Sequence, residues 1–219
     1  MNRLAIFDCD GTLVDGHASI EAALTRCFEA EGLKAPSRAE SRRIVGLSLP
    51  HAMAALLPDA APALHDHLAE RYKATFRQMR AEGMVDEPLY DGVAELLDAL
   101  EADGWLLAVA TGKSDRGLGF CLDCHGLTGR FVSLQTADRH PSKPHPSMIE
   151  QAMADAGTLP ATTMMIGDTS FDMLMAKAAG THAVGVAWGY HPRQELLAAG
   201  AAFVADVPAD LLNHARGIA

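Results

Sequence analysis

The chain has 219 residues, 49% of them apolar, and a formal net charge of −10. That apolar share supports a packed core and excludes wholesale disorder. An acidic chain lacks the basic surface that nucleic acid or an anionic membrane requires, so an anionic substrate must be met by local cations. No apolar run approaches the ~20 residues of a membrane helix, and the N-terminus enters a strand with no charged-then-apolar leader. Cys9, Cys27, Cys121 and Cys124 are scattered rather than set out as a disulfide framework, so a reducing, cytoplasmic setting is expected. The Cys121-x-x-Cys124 spacing has no second pair for zinc and reads as two partly buried helix residues.

The first element is the apolar run Leu4–Phe7, which ends on Asp8-Cys9-Asp10-Gly11-Thr12-Leu13-Val14. Side chains alternate along a strand, so residues 8 and 10 face one way and Cys9 the other. Two carboxylates this close repel unless a cation or a shared proton lies between them. The long stretch that follows holds no convincing strand. Ile20, Ala23, Leu24, Cys27 and Phe28 form one helical face, ended by Gly32. Leu64, Leu68, Tyr72, Thr75, Phe76 and Met79 form a second, longer one. Pro36, Pro50, Pro58 and Pro62 punctuate the space between them. Residues 17–86 thus read as an all-helical insertion, carried by a domain made of residues 1–16 and 87–219.

A helix is expected to open at Asp91, with Val93, Leu96, Leu97 and Leu100 on one face and Gly104 as its stop. Strand-like runs then recur at Leu106–Ala110, Val132–Leu134, Met164–Ile166, Ala183–Ala187 and Ala202–Val204. Helical patterns over Pro146–Ala156 and Phe171–Ala179 lie among them, each ended by a glycine. Short, continuous apolar strands alternating with helices predict an α/β fold with a Rossmann-like open, mostly parallel sheet. The insertion begins just after the Asp8–Asp10 segment. It should therefore sit above the carboxyl ends of the strands, where ligands bind in such sheets.

Three further segments carry chemistry. The second strand ends on Thr111-Gly112-Lys113-Ser114. Ser142-Lys143-Pro144-His145-Pro146 opens a helix, with Pro144 restricting Lys143 and Pro146 suited to the first turn. Met164–Ile166 delivers Gly167-Asp168, and Asp172 follows about one helical turn later. Singly, these read as a turn, a solvated lysine, a helix N-cap and a first-turn acid. In this order, each at a strand end or helix entrance, coincidence explains them poorly.

Together the four segments resemble the signature of the haloacid dehalogenase-like superfamily of phosphohydrolases. Lys143–Pro146, Gly167–Asp172 and Trp188-Gly189-Tyr190-His191 resemble its phosphoglycolate phosphatase-like branch, which has a small helical cap. The resemblance implies a Mg²⁺-dependent phosphatase that hydrolyses a small phosphorylated metabolite through an aspartyl-phosphate. It implies Asp8 as nucleophile and Asp10 as general acid, then base. Thr111 and Gly112 would hold the phosphoryl oxygens, and Lys143 would balance their charge. Asp8, the Asp10 carbonyl and Asp168 would hold Mg²⁺, with Asp172 orienting its waters or Lys143. Within Arg42–Ser48, just before a turn expected at Pro50, Arg43, Gly46 and Ser48 would read the leaving group.

Other readings are a phosphomutase, a phosphonate hydrolase or a non-catalytic binder of phosphorylated ligands. The acid at position 10 suits a leaving group that needs a proton. Leu49-Pro50-His51 lacks the arginine that the resembling mutases carry there. The insertion has only Lys34 and Lys73 as candidates for a Schiff base, and neither stands in an evident apolar pocket.

Overall fold

The computed structural model describes residues 2–218. Strand β1 (Arg3–Phe7) is apolar on both faces. Ala5 and Phe7 enter one core, while Leu4 and Ile6 enter the other, the alternation that a strand imposes. Such a strand must be covered on both sides, and it lies inside a six-stranded sheet. The other strands are β2 (Trp105–Thr111), β3 (Ser133–Thr136), β4 (Thr163–Gly167), β5 (His182–Val186) and β6 (Phe203–Ala205). Every pairing is parallel and the order is β3-β2-β1-β4-β5-β6. All six occur where apolar runs predict them, with ends moved by a residue or two. This is the α/β sheet expected from the sequence.

Helices α5 (Val93–Ala102), α6 (Asp115–Cys124) and α10 (Pro208–Ala215) fill one face of the sheet. Helices α7 (Ser147–Ala156), α8 (Ser170–Ala179) and α9 (Arg193–Ala199) fill the other. Cys121 is buried in α6 beside Cys9, whereas Cys124 is exposed. Between β1 and α5 come α1 (His17–Ala30), α2 (Arg38–Ile44), α3 (Leu49–Leu56) and α4 (Pro62–Ala81). These four share a separate apolar cluster built on Leu24, Phe28, Met53 and Leu68, which also takes in Tyr190 from beyond β5. Among the described residues, no helix is long and apolar enough to cross a membrane.

Two local expectations change. Helix α5 starts at Val93 rather than Asp91, because Gly92 takes a left-handed conformation (φ 82°) and turns the chain into it. Pro50 does not form a turn. It occupies the first turn of α3, where its missing N–H costs nothing.

Candidate active site

Sheet register places Phe7 level with Val109 on β2 and with Ile166 on β4. Asp8, Thr111 and Asp168 therefore leave three adjacent strands at one edge, the edge where parallel sheets bind ligands. All three are essentially buried. Lys143, also buried, enters from the segment before α7 and joins them.

Asp8 Oδ1 accepts from the Cys9 N–H at 2.6 Å and lies 3.0 Å from Lys143 Nζ. Asp8 Oδ2 is buried without a partner. Lys143 Nζ also lies 2.6 Å from Asp172 Oδ1. The second oxygen of Asp172 accepts from the backbone N–H and the hydroxyl of Thr169, closing a capping box at the start of α8. Asp172 is thus held on both oxygens and presents Lys143 to Asp8. Asp168 Oδ1 accepts from the Thr12 hydroxyl at 2.9 Å, and Oδ2 from the Tyr190 N–H at 2.9 Å.

The electrostatics are lopsided. Carboxylate oxygens of Asp8, Asp168 and Asp172 lie within 4.8 Å of one another, and among the described residues Lys143 is the one ammonium against them. Burial foremost pushes the Asp8 carboxyl up to about 7; Lys143 opposes this, while Asp172 and Asp10 add to it. Burial, then Asp8 and Asp172, raises Asp168 well above its ordinary range. Burial works against the Lys143 ammonium, but Asp172 and Asp8 outweigh it and hold the proton firmly. Once ionised, three buried carboxylates facing one ammonium carry an excess of two negative charges. A hard divalent cation with oxygen ligands fits that donor set and the orphaned Asp8 Oδ2.

The room for such a site depends on glycine. A Cβ on Gly11 (φ +83°) would stand 2.2 Å from Asp168 Oδ2, and one on Gly189 would stand 2.2 Å from the Asp168 Cβ. Trp188 Nε1 donates to the Thr12 carbonyl at 3.1 Å, binding the loop after β5 to the loop after β1.

Asp10 diverges from Asp8 despite their shared strand-face reading. It pairs not with Lys143 but with Lys113, at 2.9 Å. Both acids line a cavity of about 490 Å³ between the sheet edge and the four-helix insert. Thr111 and Gly112 line it from the core, and Gly46, Tyr72 and Phe76 from the insert. The loop before α3 reaches down here. A Cβ on Gly112 would meet the Leu47 and Gly46 carbonyls at 2.7 and 2.8 Å.

The other insert residues expected to read the leaving group are turned elsewhere. Arg43 is mostly exposed and pairs with Glu195 on α9. Ser48 donates its N–H to Ser142 Oγ and pairs its hydroxyl with His51, and it does not line the cavity. Arg42 donates to the Gly189 carbonyl and lies over the Tyr190 ring. These contacts tie insert to core. Lys73 does line the cavity, yet it is held by Glu70 at 2.7 Å. Thr12, Tyr190, Lys113 and Glu87 are site residues that sequence reasoning did not single out.

A sequence profile of the haloacid dehalogenase-like hydrolases matches residues 5–186. The chain is 36% identical to a probable phosphatase, IndB, of Dickeya dadantii, over 100% of this chain and 95% of that one. It is 30% identical to a phosphoglycolate phosphatase of Vibrio vulnificus, covering 96% of this chain and 95% of the relative. The crystal structure of a hydrolase from Pseudomonas syringae superposes with a TM-score of 0.86 at 26% identity, each chain covered in full. The chain therefore belongs to the haloacid dehalogenase-like hydrolase family. Its relatives place it among the phosphatases of that family, the phosphoric monoester hydrolases.

Proposed function

We propose that this enzyme is a Mg²⁺-dependent phosphatase of a small phosphate monoester, phosphoglycolate-like, working through an aspartyl-phosphate on Asp8. The observation that carries this reading is Asp8 itself: buried, with one oxygen held by Lys143 and the other without a partner. In the first step a carboxylate oxygen of Asp8 attacks phosphorus and the bond to the ester oxygen breaks. Asp10 gives its proton to that departing oxygen. In the second step Asp10 takes a proton from water as the water attacks phosphorus. The bond to Asp8 breaks, and inorganic phosphate leaves. Lys143, the Thr111 hydroxyl and the Gly112 N–H stabilise charge on the phosphoryl oxygens. Asp8, the Asp10 carbonyl and Asp168 would hold Mg²⁺, and Asp172 sets Lys143. When bound, the metal supplies charge neutralisation between Asp8 and the incoming phosphate.

Residues 17–86 act as a cap over the core formed by 1–16 and 87–219, and closure excludes water from the acyl phosphate. The loop around Gly46 is the part of the cap that approaches the leaving group, a reading supported by its position on the cavity wall. The test is turnover of p-nitrophenyl phosphate and a panel of small phosphate esters, phosphoglycolate included, with Mg²⁺ and with EDTA. Metal-dependent release of phosphate is expected. Absence of turnover on every ester overturns the proposal.

A further inference from the structure

Lys113 is left without a task by the mechanism above, although its side chain reaches the heart of the site. Its ammonium lies 2.9 Å from Asp10 Oδ1 and 2.6 Å from Glu87 Oε1. The other oxygen of Glu87 lies 2.7 Å from Arg80, in the last turn of α4. Acid and base alternate along this chain of four, and none of the side chains is more than 16% exposed. Glu87 takes charge-assisted hydrogen bonds from Lys113 and Arg80, and Lys113 meets Asp10 Oδ1 as an ion pair, an attraction that is strong in so little water.

The surroundings are built to hold the chain in place. His125 Nε2 donates to the Glu87 carbonyl at 2.7 Å, and the Lys113 N–H donates to Thr111 Oγ1 at 3.2 Å. Gly16 makes room where the two acids converge: a Cβ there would stand 3.0 Å from Asp10 Oδ1 and 3.4 Å from Glu87 Oε1. Lys113 contacts Oδ1 of Asp10. A carboxylate otherwise turns freely about its last torsion. A general acid must stand within about 2.6–3.2 Å of the oxygen it protonates.

We propose that Lys113, gripped by Glu87, is the positioning residue of Asp10: it fixes one carboxylate oxygen so that the other is presented to the ester oxygen. This rests on the acid–base role proposed for Asp10. Because Arg80 anchors Glu87 from the insert, the grip also ties the acid to the cap.

The experiment compares kcat/KM for p-nitrophenyl phosphate with that for the best alkyl phosphate of a panel. This ratio covers the steps through departure of the leaving group, and p-nitrophenolate leaves without a proton. Lys113→Met should lower the alkyl value by about 100-fold, the cost of a misplaced catalytic group, and the p-nitrophenyl value by less than about fivefold. Lys113→Arg should restore most of the loss. Glu87→Gln should show the same selectivity at about tenfold, and it carries the test if Lys113→Met does not fold. Added to Asp10→Asn, Lys113→Met should cost less than about twofold more, since the two act as a unit. Equal losses on both esters would mean that the ammonium contacts the phosphoryl group itself, and they overturn the inference. So do full additive losses with Asp10→Asn. If Asp10→Asn alone weakens both esters equally, it is the acid–base reading that fails.

Discussion

Lys143 and Asp172 meet at 2.6 Å with neither side chain exposed. Thr169 holds the far oxygen of Asp172, so the lysine has one direction left, toward Asp8 at 3.0 Å. The pair is as much a structural necessity as a catalytic one, because among the described residues Lys143 is the only cation paired with the three buried carboxyls. Lys143→Met should therefore destabilise the metal-free chain by about 3–5 kcal/mol, the cost of stripping one partner from a buried pair. Urea unfolding in EDTA measures this. A loss below about 1 kcal/mol would show that the carboxylates are already neutral or hydrated.

The same crowding sets a pH dependence. Asp8 ordinarily titrates at 3.8, and burial lifts it to about 7 in the fold. A carboxyl raised in this way adds stability while protonated. That contribution is whole below about pH 4 and is lost as pH rises through 7. Asp10 and Asp168 are raised in the same direction, burial again foremost. Asp8→Asn carries no charge at any pH. In EDTA its Tm should match the wild type near pH 4, exceed it increasingly toward pH 7, and hold a constant lead above that. A gap that is flat or shrinks with pH contradicts the buried, uncompensated carboxylate. Mg²⁺ should raise the wild-type Tm more at pH 8 than at pH 5, since its ligands must be ionised.

Gly189 bears on Asp168 rather than on the chain's overall stability. A Cβ there would press on the Asp168 side chain at 2.2 Å and disturb the Tyr190 N–H that orients it. Gly189→Ala should weaken Mg²⁺ binding by about 10–100-fold, as other outer contacts to metal ligands do. Calorimetric titration with Mg²⁺ decides it. Unchanged affinity would remove Asp168 from the ligand set.

Much of this architecture was legible in the sequence because the central strands are apolar runs without a polar break. Leu4–Phe7 and Met164–Ile166 are apolar runs too short for a buried helix, each followed by a turn signal, and as strands their terminal aspartates fall at the ligand edge by register. The contacts of Lys113 were not legible. Glu87 lies 26 positions away in a segment of no regular structure, and no local spacing announces the pair. The partners of Arg42 and Arg43 were not legible for a similar reason. Two cations beside a glycine suggest substrate recognition, but their partners, Gly189 and Glu195, lie about 150 residues on and appear only once the chain is folded.

That placement makes a prediction of its own. The Arg43–Glu195 pair is largely exposed, and such pairs are worth about 0–1 kcal/mol. Arg43→Ala should change KM by less than about twofold on every ester of a panel. A selective rise in KM for carboxylate-bearing esters would return Arg43 to the substrate.

The nucleophile can be tested directly in Asp10→Asn, which keeps the Asp8 carboxylate but lacks the base for the second step. Mixed with p-nitrophenyl phosphate and Mg²⁺, this variant should release a burst of one p-nitrophenolate per chain and then stall. With ³²P in the ester, acid quenching should leave a hydroxylamine-sensitive label on the tryptic peptide 4–26, at Asp8. Release without a burst, or turnover that leaves Asp8 unlabelled, would contradict the aspartyl-phosphate and make water the attacking group.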